Sequence, residues 1–206
     1  MKTISIVDYG LGNIHSIQHA IGHLGYKSKL ASTSKEISKA THLILPGVGA
    51  YPHAMKLLKK NGLEDSILEH SKNEKPILGI CLGMQLLFEE STEHSFSQGL
   101  NLLKGKVKRY KPYKNYSIPQ IQWNELLKKN DCSIMTDIKD REYFYFVNSY
   151  CVDVDSLNDY YKICVSRYAN QDFLSLVEYN NIIGVQFHPE KSGKNGLKLI
   201  ENFLKK

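Results

Sequence analysis

A cysteine flanked by glycines lies where a buried apolar run meets a helical pattern. The stretch ILGICLGMQLLF, residues 77–88, places Cys81 two positions after Gly79 and two before Gly83. A nucleophile on a sharp strand-to-helix turn requires small residues at these positions, because the turn brings the neighbouring backbones close together. The amino end of the following helix favours a thiolate at the cysteine. The pattern therefore predicts a cysteine nucleophile, with a structural cysteine at a glycine-rich strand end as the alternative.

A histidine and a glutamate near the carboxyl end of the chain are suited to activate such a nucleophile. In GVQFHPEKS, residues 184–192, Pro189 separates His188 from Glu190. Proline biases the residue before it toward an extended conformation, in which residues two apart point to the same side. Glu190 would then orient the His188 ring and stabilise its imidazolium form. Together with Cys81 the pair predicts a catalytic triad, and an ordinary surface ion pair is the alternative.

Backbone amides near the cysteine offer a place for the negative charge that develops in acyl transfer. The amide of Leu82 directly follows the nucleophile, and the glycine-rich LPGVGAY, residues 45–51, offers the amide of Gly49. Two such donors form an oxyanion hole. A second glycine-rich stretch, YGLGN at 9–13, lacks the third glycine of the dinucleotide-binding GxGxxG pattern, so we expect no dinucleotide there.

The composition disfavours several classes of function. The 206 residues are 42% hydrophobic and 23% charged, as in globular proteins, and no run of 18 apolar residues is present to span a membrane. The opening MKTISIVDYGLGN lacks an apolar signal core, which predicts a cytoplasmic location. The formal net charge of +6 comes mainly from dispersed lysines. The denser KGKVKRYKPYK, residues 104–114, has no nucleic-acid recognition motif beside it, so we predict a solvated strand and loop there, or a rim that faces another protein.

The remaining histidines and cysteines predict neither a metal site nor a disulfide framework. His15, His19 and His23 are four residues apart on a predicted helix, but no cysteine or carboxylate completes a ligand set locally. The other three cysteines, which form no CxxC pair, are predicted to fill the core: Cys132, Cys151 and Cys164. We therefore expect a protein without a metal or a cofactor.

The elements that must position the candidate residues alternate in the first half of the chain. Strands are predicted in TISIVDYG, KSKLAS, THLILPGVGAY and KPILGI, with helices between them and a further helix in LGMQLLFEES. This alternation predicts a parallel sheet with helices on both faces. Ligands bind such sheets at the carboxyl ends of the strands, where Gly10, residues 46–50 and Cys81 are all expected.

The second half of the chain is predicted to be rich in strands and aromatic residues. The predicted strands are GKVKRY, YSIPQIQW, YFYFVNSY, YYKICVSRY, DFLSLVEY and IIGVQF, and the chain closes with a helix in GLKLIENFLKK. No stretch rich in proline, glycine or serine marks a boundary. The sequence predicts one α/β domain over residues 1–206, with a mostly parallel central sheet and a β-rich second half.

Three motifs in this order and spacing, PGVGAY, GICLGMQ and GVQFHPEKS, resemble the class I (triad) glutamine amidotransferases. IVDYGLGN, PGVGAYPHAM, GMQLLFEES, YFVNSY and GVQFHPEKSGKNGLKLIENF are similar to the glutaminase subunits of imidazole glycerol phosphate synthases, which act in histidine biosynthesis. The similarity covers essentially the whole chain. It implies a three-layer αβα fold and hydrolysis of L-glutamine to glutamate and ammonia through a thioester on Cys81, with His188 and Glu190 as its partners.

The resemblance also implies roles for neighbouring residues and for a second protein. It assigns the oxyanion hole to Gly49 and Leu82. The residues that it assigns to glutamine binding are Gln85, Glu93, Ser149 and Tyr150. It further implies a heterodimer in which ammonia passes, without release to solvent, into a separate (β/α)8-barrel synthase subunit.

Two positions depart from the family pattern. PQIQWN has Gln122 where the family usually has glycine, and FVNSY has Asn148 where it usually has histidine. Both segments belong to the side expected to face the partner, so the departures leave the ammonia acceptor open. The alternative is a related glutaminase that supplies a sugar amidotransferase of bacterial surface-polysaccharide or flagellin-glycan biosynthesis. A non-catalytic binding protein and a cysteine peptidase are further alternatives, which the intact triad and the pair Gln85 and Glu93 disfavour.

Overall fold

The strands of this computed structural model, which describes residues 2–206, form three sheets. The strands are β1 (Ile4–Val7), β2 (Ser28–Ala31), β3 (His42–Leu45), β4 (Ile77–Ile80), β5 (Phe88–Ser91), β6 (Ser97–Gln98), β7 (Leu103–Arg109), β8 (Gln120–Glu125), β9 (Leu127–Lys128), β10 (Tyr143–Asn148), β11 (Tyr150–Val152), β12 (Lys162–Tyr168), β13 (Gln171–Tyr179) and β14 (Ile182–Val185). The central sheet has the order β2-β1-β3-β4-β14-β13-β12-β9, a second sheet has the order β11-β7-β5-β6, and β10 pairs with β8.

The helices pack on both faces of the central sheet. They are α1 (Ile14–His23), α2 (Ser34–Ser38), α3 (Tyr51–Lys60), α4 (Glu64–Lys72), α5 (Leu82–Leu86) and α6 (Gly193–Lys205). Short 3-10 turns cover Ser133–Met135, Val154–Ser156 and Pro189–Lys191. No helix within residues 2–206 is long and apolar enough to cross a membrane.

Alternation along the parallel strands separates two apolar cores. On β3, Ile44 packs into the core that contains α1 and α6, whereas Leu43 and Leu45 pack into the core that contains α2 to α5. Successive side chains of a strand point to opposite faces, so β1, β3, β4 and β14 each supply both cores. The predicted three-layer αβα arrangement with a mostly parallel central sheet is confirmed.

The register of three parallel strands brings the candidate residues to one edge. Strand β4 lies between β3 and β14, with Gly79 aligned to Leu45 on one side and Gly184 on the other. The loop after β3, Cys81 after β4 and the HPE segment after β14 therefore meet at the carboxyl ends of adjacent strands, as expected for this class of sheet.

One predicted helix is wrong in its second half. The helix in LGMQLLFEES ends at Leu86, and Phe88–Ser91 form β5. Strand β5 pairs in parallel with β7 and antiparallel with β6, and Glu90 forms an ion pair of 2.9 Å with Lys106 on β7. The second sheet thus supplies ladder partners to this segment, and tertiary pairing outweighs the local helical pattern.

The glycines around Cys81 are required by close backbone contact. A Cβ atom added to Gly83 would lie 1.9 Å from the Leu45 carbonyl oxygen, and one added to Gly79 would lie 2.8 Å from the Gly83 carbonyl oxygen. Real Cβ atoms do not approach backbone this closely. The turn after β4 is therefore as tight as the glycine spacing predicts.

A pair of glycine substitutions tests this packing. We expect Gly83→Ala to lower the free energy of unfolding by about 3 kcal/mol or more, because the methyl group meets a backbone carbonyl that has no room to move. Gly22→Ala on the exposed side of α1 is the control, because nothing lies within 4 Å of the added Cβ. It should stabilise the protein by about 0.5–1 kcal/mol. Urea unfolding measures both, and equal midpoints for Gly83→Ala and wild type would contradict the interpretation.

Candidate active site

A cavity of about 250 Å³ opens at the carboxyl edge of the central sheet. Eight of the nine predicted site residues line it, and the ninth, Glu190, lies behind His188. The eight are Gly49, Cys81, Leu82, Gln85, Glu93, Ser149, Tyr150 and His188. The cavity is completed by Val48, Pro119, Val147 and Asn148.

Cys81 lies in a strained turn between β4 and α5. Its φ of +54° is one that side-chain-bearing residues seldom adopt, and such strain typically costs about 1–3 kcal/mol. The turn is held because the Cys81 N–H donates to the Val185 carbonyl on β14 at 2.7 Å. Besides its interaction with His188, the sulfur has polar contacts at 3.8 Å to the Val147 carbonyl oxygen and at 3.7 Å to Nε2 of Gln186. This geometry presents the sulfur to the cavity.

His188 and Glu190 form the predicted pair, although not by the predicted geometry. His188 Nδ1 lies 2.8 Å from Glu190 Oε1. His188 is extended, with φ −98° and ψ 95°, but Glu190 lies in the 3-10 turn Pro189–Lys191. The expectation of an extended segment through Glu190 is therefore wrong. The His188 carbonyl accepts hydrogen bonds from the Ser192 hydroxyl at 2.6 Å and from the Lys191 N–H at 3.0 Å, and these bonds fold the segment back.

The surroundings of His188 favour its charged form. Burial lowers the pKa of the imidazolium, but hydrogen bonds and charge from Cys81 and Glu190 outweigh burial and raise the pKa to about 10. The Glu190 side chain is 1% exposed, and its Oε2 has no hydrogen-bond partner among the residues described. His188 is thus the main compensation for that carboxylate, and the cavity holds an imidazolium at neutral pH.

Gln85 is oriented by two acceptors. Its Nε2 donates to the Tyr150 carbonyl oxygen and to Oε1 of Gln186, each at 2.9 Å. Both amide protons are therefore used within the protein. The side-chain oxygen of Gln85 is left as the group able to accept a hydrogen bond from a ligand.

Glu93 places a carboxylate in the cavity. It follows β5, is buried, and its Oε2 accepts a hydrogen bond of 2.7 Å from the Tyr51 N–H at the start of α3. A helix start stabilises a carboxylate. Ser149 and Tyr150 lie at the junction of β10 and β11, where the Ser149 carbonyl accepts a hydrogen bond from the Tyr110 N–H.

The loop that carries Gly49 is held next to the turn of Cys81. Gly49 has φ +99°, which favours glycine, and its Cβ position is open. Gly47 packs against the Gly83 nitrogen, and the Tyr9 hydroxyl donates to the Pro46 carbonyl at 2.8 Å. Burial raises the pKa of the Tyr9 phenol, so this hydroxyl stays neutral.

The sequence interpretation missed two residues of this site, Gln186 and Tyr9. Gln186 is fully buried and contacts both Cys81 and Gln85. It lies two residues before His188, so the period of two along an extended strand was the signal for it. Tyr9 lies at the end of β1, one of the carboxyl strand ends expected to border a ligand.

Replacement of Glu190 tests the electrostatics. In Glu190→Gln the negative charge that stabilises the imidazolium is lost, so His188 should lose its proton at a lower pH than the wild type, whose pKa is about 10. NMR titration of ¹³C-labelled histidine rings measures this. The exposed His53 on α3 is the internal control, since its titration should be the same in both proteins. An unchanged His188 titration would contradict the assigned pairing.

Comparison with known proteins agrees with this geometry. The model of the family "Glutamine amidotransferase class-I" matches residues 5–206. Imidazole glycerol phosphate synthase subunit HisH of Caldanaerobacter subterraneus subsp. tengcongensis is 42% identical over 200 residues, which are 97% of this chain and 96% of the relative. The same-named subunit of Listeria monocytogenes serotype 4a is 43% identical over 97% of this chain and 94% of the relative. Subunit HisH 2 of Vibrio vulnificus is 43% identical over 98% and 93%, respectively.

Solved structures share the fold at lower sequence identity. A crystal structure of a glutamine amidotransferase superposes with a TM-score of 0.76 at 18% identity and covers 98% of this chain and 97% of that one. PurLQS from Thermotoga maritima superposes with a TM-score of 0.74 at 18% identity, and the match covers 100% of this chain and 99% of that one. The match of the family model over nearly the whole length, together with relatives above 40% identity, means that this chain belongs to the class I glutamine amidotransferases.

Proposed function

We propose that this chain, as one domain, is the glutaminase subunit of an imidazole glycerol phosphate synthase. It hydrolyses L-glutamine to glutamate and ammonia and delivers the ammonia to a (β/α)8-barrel synthase subunit. The observation that carries the proposal is a cysteine facing an imidazolium–carboxylate pair in a cavity that also holds the carboxylate of Glu93. The HisH names of relatives aligned over nearly the full length support the choice of synthase.

The proposed reaction proceeds in two halves on Cys81. The thiolate attacks the side-chain amide carbon of glutamine, and the amides of Leu82 and Gly49 bind the oxyanion, each typically worth about 3–4 kcal/mol. His188 then gives its proton to the leaving nitrogen, so the C–N bond breaks, ammonia departs and a thioester remains. His188 next takes a proton from water, whose oxygen attacks the thioester, and glutamate and the thiolate are released. Glu190 keeps the ring oriented throughout.

The cavity suits a free amino acid with a side-chain amide. The Glu93 carboxylate, already fixed by the Tyr51 N–H, is placed to pair with an α-ammonium group. Gln85 offers an oxygen acceptor beside it. We assign Ser149 and Tyr150, which line the same cavity, to the substrate carboxylate.

An exposed apolar face beside the cavity supports a partner subunit there. Ile121 and Trp123 on β8 are 60% and 50% exposed, and Tyr143 on β10 is 56% exposed. Cross-strand pairing sets Ile121 opposite Val147 and Trp123 opposite Tyr145. Because Val147 also lines the cavity, a subunit docked on this face would cover both the apolar side chains and the cavity mouth.

The two departures from the family pattern leave this arrangement intact. Gln122 is exposed in a regular strand opposite Phe146, so its side chain meets no neighbouring backbone within the chain. Asn148 is buried, and its Nδ2 donates to the Tyr110 hydroxyl at 2.8 Å and to the Tyr150 carbonyl at 2.9 Å. Asn148 thus braces the cavity wall from inside.

Reconstitution with a purified barrel synthase subunit tests the function. With glutamine and a phosphoribulosyl-aminoimidazole acceptor, we expect glutamate and imidazole glycerol phosphate to form together. Cys81→Ala should lower glutamate formation by at least about 10⁴-fold, because no thioester forms. Cys132→Ala, which removes a buried cysteine outside the cavity, is the matched control and should retain activity. Amination only of an acetamido sugar, with its sugar amidotransferase as partner, would favour the alternative acceptor.

The docking face has its own test. Trp123→Ala should weaken binding of the barrel subunit by about 30-fold, the effect of losing a 2 kcal/mol anchor. Tyr160→Ala is the control, because Tyr160 is 59% exposed but stacks on Tyr179 at the opposite end of the sheet. Isothermal titration calorimetry measures both. Equal losses in the two variants would argue against docking at β8 and β10.

A further inference from the structure

We infer that Gln186 is a positioning residue for Cys81, and that its orientation is dictated by hydrogen bonds that begin at the Tyr150 carbonyl. We call this series of hydrogen-bonded groups, which runs from the Tyr150 carbonyl through the side chains of Gln85 and Gln186 to the Cys81 sulfur, the amide chain. The inference rests on the proposed function and deepens it, because it states how the protein keeps the nucleophile in its reactive form.

The amide of Gln186 is enclosed between the sulfur and Gln85. Gln186 is fully buried and directly follows β14, where its N–H donates to the Ser175 carbonyl at 2.9 Å. Its Nε2 lies 3.7 Å from the Cys81 sulfur, and its Oε1 accepts from Gln85 Nε2 at 2.9 Å. Each end of this amide therefore has one specific neighbour.

The direction of the amide chain follows from the chemistry of its first member. The Tyr150 carbonyl is only able to accept, so Gln85 must turn its NH₂ group toward it. The second proton of that NH₂ group then requires an acceptor from Gln186, which must present its oxygen. The NH₂ group of Gln186 is left to face the sulfur. The sulfur thus receives a donor and not an acceptor.

Asn148 fixes the starting point of the amide chain. Its Nδ2 also donates to the Tyr150 carbonyl, and its Oδ1 accepts from Gln120 Nε2 at 3.2 Å. The buried Tyr110 hydroxyl accepts the other proton of Asn148 Nδ2. Because Gln120 and Tyr110 together fix the orientation of the Asn148 amide, Asn148 holds in place the Tyr150 carbonyl to which Gln85 donates.

The contacts of the sulfur with Gln186 and Val147 act in opposite directions. A donor from Gln186 stabilises the thiolate, whereas the Val147 carbonyl, 3.8 Å from the sulfur, is able to bind only the protonated thiol. Loss of the Gln186 donor removes one of the groups that stabilise the thiolate, while the Val147 carbonyl stays in place, and so favours the thiol. The titratable groups around the sulfur come from several elements and stay in place in the variants below: Tyr9, Glu93, Tyr110, His188 and Glu190.

The pH dependence of Cys81 alkylation by iodoacetamide tests the inference, with the peptide containing Cys81 followed by mass spectrometry. Gln186→Met keeps the volume but removes the donor, and we expect its alkylation midpoint to rise by about one pH unit, a tenfold loss of thiolate below the midpoint. Gln85→Met should give a smaller rise, because the Gln186 amide keeps its place but loses its orienting partner. Asn202→Met on α6 is the control: it removes an amide that donates to the Ile134 and Thr136 carbonyls and has no hydrogen bond to the amide chain, so it should leave the midpoint unchanged.

Thermal unfolding of each variant establishes that it is folded. An unchanged midpoint in folded Gln186→Met, or a rise as large in Asn202→Met, would overturn the inference. If Gln186→Met does not fold, an unchanged midpoint in Gln85→Met overturns it instead. Alkylation needs no glutamine, so a shifted midpoint without glutamine hydrolysis would reject the proposed function while supporting the amide chain.

Discussion

The hydrogen bond from the Cys81 N–H to the Val185 carbonyl is the contact on which the site depends. At 2.7 Å it is the last link between β4 and β14, and it holds Cys81 at a φ of +54° that the residue would not adopt alone. It also fixes the cysteine in register with the strand that continues into Gln186 and His188. A single pairing of parallel strands thereby brings Cys81, Gln186 and His188 together at one end of the sheet.

Charge in this cavity is balanced only in part by the protein. The carboxylate of Glu93 lines the cavity and that of Glu190 lies behind His188, whose imidazolium is the cationic group between them. Glu93 gains some compensation from the start of α3, but Oε2 of Glu190 has no partner among the described residues. A ligand that brings a positive group completes the balance, whereas an anionic ligand without one is disfavoured. Glu190 is thus the carboxylate that favours the protonated histidine, and Glu93 is the carboxylate left for the α-ammonium group of the proposed substrate.

The turn at Cys81 and the central sheet could be predicted from sequence patterns within short segments. The glycine spacing around Cys81 and the alternation of strands and helices were sufficient for the nucleophile turn and for the central sheet, because both are set by sterics and by burial along short segments. Phe88–Ser91 were predicted as helix because β7, their ladder partner, follows only later in the chain. Glu190 reaches His188 through a turn closed by Ser192, which propensity did not indicate. Gln186 was missed because its role depends on contacts with Gln85 and Cys81, about a hundred residues earlier in the chain.

The second sheet does more than support the central sheet, because it also supplies residues to the cavity. Strand β11, which begins with Tyr150, belongs to that sheet, and β5 of the same sheet leads to Glu93, whereas Cys81 and His188 are carried by the central sheet. Both sheets thus contribute residues to the cavity wall. Tyr150 is also the first member of the amide chain that ends on the sulfur. One residue at the start of β11 therefore takes part both in the cavity wall and in the hydrogen bonds that lead to the Cys81 sulfur, so the position of this strand couples the shape of the cavity to the contacts of the cysteine.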